Sequence, residues 1–126
     1  MNTKRKVAVI GCGSISKTHI AAIRSLGNTE IAALCDIRED RLSEDALLCP
    51  EASLYTDYKT MLDEISVDAV HICTPHYLHA EMAIAAMEHG FSVYLEKPCA
   101  MNRPEAEEIV RVSEKTGKTV CVSFQN

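Results

Sequence analysis

The stretch KVAVIGCGSIS, residues 6–16, decides how the chain is read. Val7 to Ile10 is a short unbroken apolar run, the pattern of a strand covered on both faces. It stops at Gly11. Beyond the glycines, Ile15, His19, Ala22, Ile23 and Leu26 recur at helical spacing, and Gly27 reads as the helix stop. Strand, glycine turn and helix make the first half of a βαβ unit. Gly11 permits a tight turn, and Gly13 lets the backbone come close to a phosphate. The helix behind them offers free N–H groups and the positive end of its dipole to a pyrophosphate. Ser16 stands where a third glycine of G-x-G-x-x-G would be. Alone the motif is weak, because a plain glycine turn between strand and helix has the same sequence.

The alternation continues outward from that stretch. Glu30 to Asp36 reads as a second strand, and the charged segment from Arg38 reads as a helix ending before Pro50. Residues 53–57 form a weak third strand and residues 58–64 a short helix. Asp68 to Thr74 is a strong fourth strand, and a helix follows over Tyr77–His89, with Leu78, Met82 and Ala85 on one face and Gly90 as its stop. Residues 91–96 are the fifth strand. Asn102 with Glu105 reads as a capping box, opening a helix that ends at Gly117. Thr119 to Ser123 is the sixth strand. Strands alternating with helices imply parallel pairing through right-handed crossovers. The expected fold is therefore α/β: a doubly wound, parallel, six-stranded Rossmann sheet in the order 3-2-1-4-5-6, with helices on both faces. The chain ends three residues after the sixth strand, which suggests a fragment, or a domain whose partner has been left out; residues 1–126 are expected to form one Rossmann domain.

Composition narrows the function. At 126 residues there is room for one core. A formal net charge of −5 argues against sequence-independent binding to nucleic acid or acidic membranes. The basic cluster Lys4-Arg5-Lys6 reads as a solvated end. No apolar run approaches the roughly 20 residues of a membrane span, and the run ending at Gly11 is too short for a signal-peptide core. There are six cysteines, none in a C-x-x-C pair. Cys35, Cys73 and Cys121 fall in apolar strand-like runs, where a thiol behaves as a small hydrophobe. The expectation is a cytoplasmic protein with reduced cysteines and no metal site.

All strand C-termini of a parallel sheet share one edge, and ligands bind there. Asp36 ends the second strand, 23 residues beyond Gly13. An acid near that spacing hydrogen-bonds the ribose of an adenosine; helix N-capping is its other reading. Arg38 is suited to the 2′-phosphate of NADP, whereas Asp36 would repel it, so the balance favours NAD with NADP possible. After the fourth strand come Thr74, Pro75, His76 and His79, the histidines flanking a helix start where surface or capping roles also account for them. After the fifth come Glu96, Lys97 and Pro98. A turn explains proline and charges at a strand end, but it does not explain a lysine beside the place of a nicotinamide ring. His19, among Ile15, Ala22 and Ile23, reads as a packed histidine. Cys12, between the glycines, reads as a small residue facing away from the cofactor, although a helix N-terminus can activate a thiol there.

The segments AVIGCGSIS, CTPHYLH, GFSVYLEKP and SFQN, with an aspartate ending strand two, resemble the N-terminal domain of the Gfo/Idh/MocA oxidoreductases, relatives of glucose–fructose oxidoreductase and inositol 2-dehydrogenase. The resemblance covers essentially the whole chain. It implies NAD(P)-dependent hydride transfer on a sugar, polyol or related alcohol. It also implies a second domain that binds substrate, makes the contacts of a homo-oligomer and carries the catalytic Asp/His pair. By that resemblance Lys97 is the active-site lysine, with Glu96 and Pro98 holding it. Gly11, Gly13, Ser14, Ile15, Asp36, Thr74 and His79 line the cofactor groove, and Cys12, Ile37, Arg38, Pro75, His76, Glu96 and Lys97 complete the set beside it. A non-catalytic NAD-sensing regulator with the same fold is the competing reading; a sensor has no use for Lys97. An amino-acid or dihydrodiol dehydrogenase is a third.

Overall fold

A computed structural model describes residues 5–11, 20–23, 25, 27–73, 79–96 and 103–123. The strands are β1 (Arg5–Ile10), β2 (Thr29–Cys35), β3 (Ser53–Tyr55), β4 (Ala69–Ile72), β5 (Ser92–Glu96) and β6 (Val120–Ser123). They form one sheet in the order β3-β2-β1-β4-β5-β6. Every pairing is parallel. The helices with described bounds are α1 (Glu39–Ala46), α2 (Tyr58–Glu64), α3 (His79–Glu88) and α4 (Arg103–Thr116), and residues 20–23 are also helical.

Each central strand feeds two cores, because successive side chains point to opposite faces. Ala8 and Ile10 of β1 join a cluster with Ala33, Cys35, Val70, Ile72, Val93 and Leu95 of neighbouring strands. Helices α2, α3 and α4 cover it with Met61, Leu62, Ala83, Met87, Ile109 and Val112. Val7 and Val9 face the other way and pack with Ile31, Leu34, Leu42, Ile20 and Ile23. The phase along β2 would fail without an irregularity. Val7 pairs with Ile31 but Ala8 pairs with Ala33, so Ala32 is an extra residue. That bulge puts Ile31 and Leu34, three apart, on one face.

The helix faces correct two expectations. After β1, Ile20 and Ile23 are buried while Ala22 is exposed; at 100° per residue, Ala22 points well away from a stripe set by an i, i+3 pair. Ile15, His19 and Leu26 of the expected stripe lie outside the described residues. In α3 the inward residues are Ala80, Met82, Ala83, Ala86 and Met87, and Ala85 is half-buried. This stripe is broad because α3 packs on the sheet and on α4 together. Leu78 and the capping residue Asn102 lie outside the described residues.

Gly90 ends α3 as the sequence implies. Its φ is +93°, its N–H donates to Met87 O (3.0 Å), and the Phe91 N–H reaches back to Ala86 O (3.0 Å). This is a Schellman closure, which satisfies the last carbonyls and carries buried Phe91 into β5.

Candidate cofactor site at the sheet switch point

Register alone aligns the C-terminal ends of four strands. Ile10 pairs with Cys35 on one side and Ile72 on the other, and Ile72 pairs with Leu95. The residues that follow, Gly11, Asp36, Cys73 and Glu96, therefore form a row along one sheet edge. Backbone bonds extend the sheet into that row: Gly11 N–H to Cys35 O (2.7 Å), Cys73 N–H to Ile10 O (2.8 Å) and Asp36 N–H to Tyr55 O (3.1 Å).

The chain leaves the middle of this row in opposite directions. The helical residues after β1, Ile20 and Ile23, pack in the Val7–Val9 core. Helix α3, after β4, packs in the Ala8–Ile10 core. A crevice must open where neighbouring strands send their connections to opposite faces, here between β1 and β4.

Gly11 stands at the mouth of that crevice, buried, with φ +95°. An L-residue is strained there, so the turn requires glycine. Its own N–H is used by the sheet. Asp36 lies one strand away and is buried. Its Oδ1 accepts the Arg38 N–H at 2.8 Å, which fixes the carboxylate at the head of α1. The N-cap position itself belongs to Arg38, without a side-chain cap, so Asp36 closes a turn before the helix and is not its N-cap.

Arg38 turns outward. Its Nε and Nη2 donate to Asp40 Oδ1 (3.3 Å) and Oδ2 (3.0 Å). The guanidinium holds the Asp40 carboxyl below its usual range. Ile37, between Asp36 and Arg38, is exposed at 86% and joins neither core cluster of the described residues. Behind the row, burial pushes the Cys35 thiol up to about 12, with help from the charges of Asp36 and Asp57. Cys35 is therefore a packing residue and not a nucleophile.

Among the sequence-derived site residues, the structure sets Gly11 and Asp36 at adjacent strand ends, with Ile37 and Arg38 following Asp36 into α1. His79 opens α3 and Glu96 closes β5 on the same edge; only their backbones are described. Cys12, Gly13, Ser14, Ile15, Thr74, Pro75, His76, Lys97 and Pro98 lie outside the described residues. Asp40 was missed by sequence reasoning. The signal was present, an acid two residues beyond an arginine in a helical first turn, but nothing in the spacing says which way that arginine turns. Among the described residues no group of three His, Cys, Asp or Glu side chains is placed to hold a metal. None of the described helices is long and apolar enough to cross a membrane.

A glycine turn and a fixed carboxylate at adjacent strand ends, beside a switch point, fit a dinucleotide. Residues 5–124 match the oxidoreductase family described as Gfo/Idh/MocA with an NAD-binding Rossmann fold. The chain belongs to the Gfo/Idh/MocA oxidoreductase family. It is similar to D-glucoside 3-dehydrogenase of Escherichia coli K12, with 32% identity over 96% of this chain and 35% of that protein. The WlbA dehydrogenase of Bordetella pertussis, solved with NADH and UDP-GlcNAcA, superimposes with a TM-score of 0.92 at 30% identity, over 95% of this chain and 37% of that one. KijD10, a 3-ketoreductase of Actinomadura kijaniata solved with NADP and TDP-benzene, gives 0.89 at 30% identity, over 97% and 38%. The chain thus spans little more than a third of the length of these relatives. It is the NAD(P)-binding domain of the family.

Proposed function

We propose that this domain holds NAD(H) for a dehydrogenase that moves hydride between the nicotinamide and a hydroxyl of a sugar, polyol or related alcohol. The observation that carries the reading is the row Gly11, Asp36, Cys73, Glu96 beside the switch point, because strand register sets Asp36 and Glu96 on one sheet edge. The relatives named above, a glucoside dehydrogenase, a dehydrogenase crystallised with UDP-GlcNAcA and a 3-ketoreductase crystallised with TDP-benzene, support the substrate class.

Asp36 accepts hydrogen bonds from the adenosine ribose. Gly11 and Gly13 let the backbone approach the pyrophosphate, and Cys12, Ser14 and Ile15 supply the N–H groups behind it. Ile37 covers the adenine with its exposed side chain, and Thr74, Pro75, His76 and His79 border the nicotinamide half. When bound, the cofactor supplies the hydride acceptor. Lys97 donates a hydrogen bond to the substrate oxygen and stabilises the alkoxide that develops there. Glu96 orients the amine and Pro98 stiffens its backbone. The general base and the wall that reads the substrate belong to a second domain, which also makes the oligomer contacts. The setting is cytoplasmic, with a small-molecule substrate and no nucleic-acid or membrane partner.

Lys97→Ala in the full-length protein tests the catalytic half. The expected result is a fall in kcat of about 10²-fold or more, with NAD affinity within a few-fold. Full activity would return Lys97 to a turn residue and favour a regulator that only senses NAD.

A further inference from the structure

Arg38 is the described cation closest in sequence to Asp36, and its backbone N–H is already bound to the Asp36 carboxylate. A 2′-phosphate on a ribose held at Asp36 would need such a cation as its counter-charge. Yet the guanidinium presents Nε and Nη2, two donors of its fork, to the two oxygens of Asp40. Glu39 adds a further negative charge in the same helical turn. We propose that Asp40 is a cofactor-specificity residue: by engaging the Arg38 guanidinium it keeps the arginine from serving a 2′-phosphate, and so favours NAD over NADP.

The inference rests on the NAD-site reading above and adds to it a residue that never touches the cofactor. It separates two devices. Asp36 repels the phosphate directly, whereas Asp40 acts through Arg38. Both partners of the Arg38–Asp40 pair are exposed, so the pair is screened and the effect is modest. A phosphate dianion recruiting Arg38 would find the Nε edge of the guanidinium taken and its charge offset by Asp40, and an exposed pair of this kind shifts affinity by a few-fold.

The test is calorimetric titration of NAD and NADP into the 126-residue chain and its variants. Asp40→Asn should tighten NADP about threefold to fivefold, the upper range for an exposed ion pair, and leave NAD within about twofold. In an Arg38→Gln background the same substitution should change NADP affinity by less than about 1.5-fold, since its route is gone. Glu39→Gln removes an equal charge from the same turn without freeing Arg38, and should give less than half the gain. An unchanged NADP affinity in Asp40→Asn overturns the proposal. So does an equal gain from Glu39→Gln or in the Arg38→Gln background, since either reduces Asp40 to general repulsion. Failure of the unmutated chain to bind either dinucleotide is a different result: it removes the site itself, and the role of Asp40 with it.

Discussion

Asp36 does two things with one carboxylate. It accepts the Arg38 N–H, which shapes the entry into α1, and by the proposed function it also accepts from a ribose. Replacing it should therefore cost cofactor affinity directly. Asp36→Ala is expected to weaken NAD about tenfold, the loss of a charge-assisted hydrogen bond, and to narrow or reverse the gap to NADP by removing repulsion. Paired titrations of NAD and NADP read both changes; tighter NADP binding by the unmutated chain would show that Arg38 dominates. Cys35, next in the chain, should be inert. Its thiol is buried and pushed up to about 12, so at neutral pH it carries almost no thiolate. Alkylation of the folded chain followed by peptide mapping should leave Cys35 unmodified until denaturant is added.

At the scale of elements, α2 and α3 are tied by a histidine. His89, just beyond α3, has Nδ1 2.7 Å from Ala85 O and Nε2 2.7 Å from Asp63 Oδ1. Both ring nitrogens face acceptors, so the ring satisfies both only as imidazolium. The Ala85 carbonyl and then Asp63 raise its pKa above the ordinary 6.5. A raised folded-state value means the protonated form is favoured by folding. The stabilisation is full below about pH 6.5 and is lost as pH rises through the higher folded value. Urea unfolding should show His89→Gln clearly less stable than the parent at pH 5.5, with the difference shrinking by pH 9. A constant difference would make the contact one of packing. No sequence pattern announces this bond, because Asp63 and His89 are 26 residues apart and meet only after α2 and α3 dock on one face. The strands and the glycine stops were legible for the opposite reason. Apolar runs and positive-φ glycines such as Gly90 are local features, read without knowing the neighbours. The buried helical stripes were legible only in part. Ala22 is apolar but exposed, and which alanines face inward depends on the docking angle. The bulge at Ala32 left no mark in composition. In the candidate site, Asp36 and Gly11 followed from spacing, whereas the engagement of Arg38 by Asp40 depended on a side-chain direction.

For the whole molecule, the proposed function divides the work: this domain holds the cofactor, and a second domain completes the chemistry. On this account the 126-residue chain binds NAD(H) but turns over no sugar, inositol or other alcohol, as followed at the NADH absorbance. By the proposed function Lys97 lies in this chain, while the base and the substrate wall belong to the second domain. Lost positioning alone removes roughly 7–11 kcal/mol of barrier lowering, and lost acid–base catalysis a further ~10²–10⁴-fold in rate. Robust turnover by this chain would show that its catalytic set is complete. The cofactor site is the more basic claim, because every other role is placed relative to it. Titration of NADH into the purified chain, followed by calorimetry, tests it most directly. The account predicts saturable binding at one site per chain, weakened by Asp36→Ala. Heats that remain those of dilution up to millimolar NADH would contradict it.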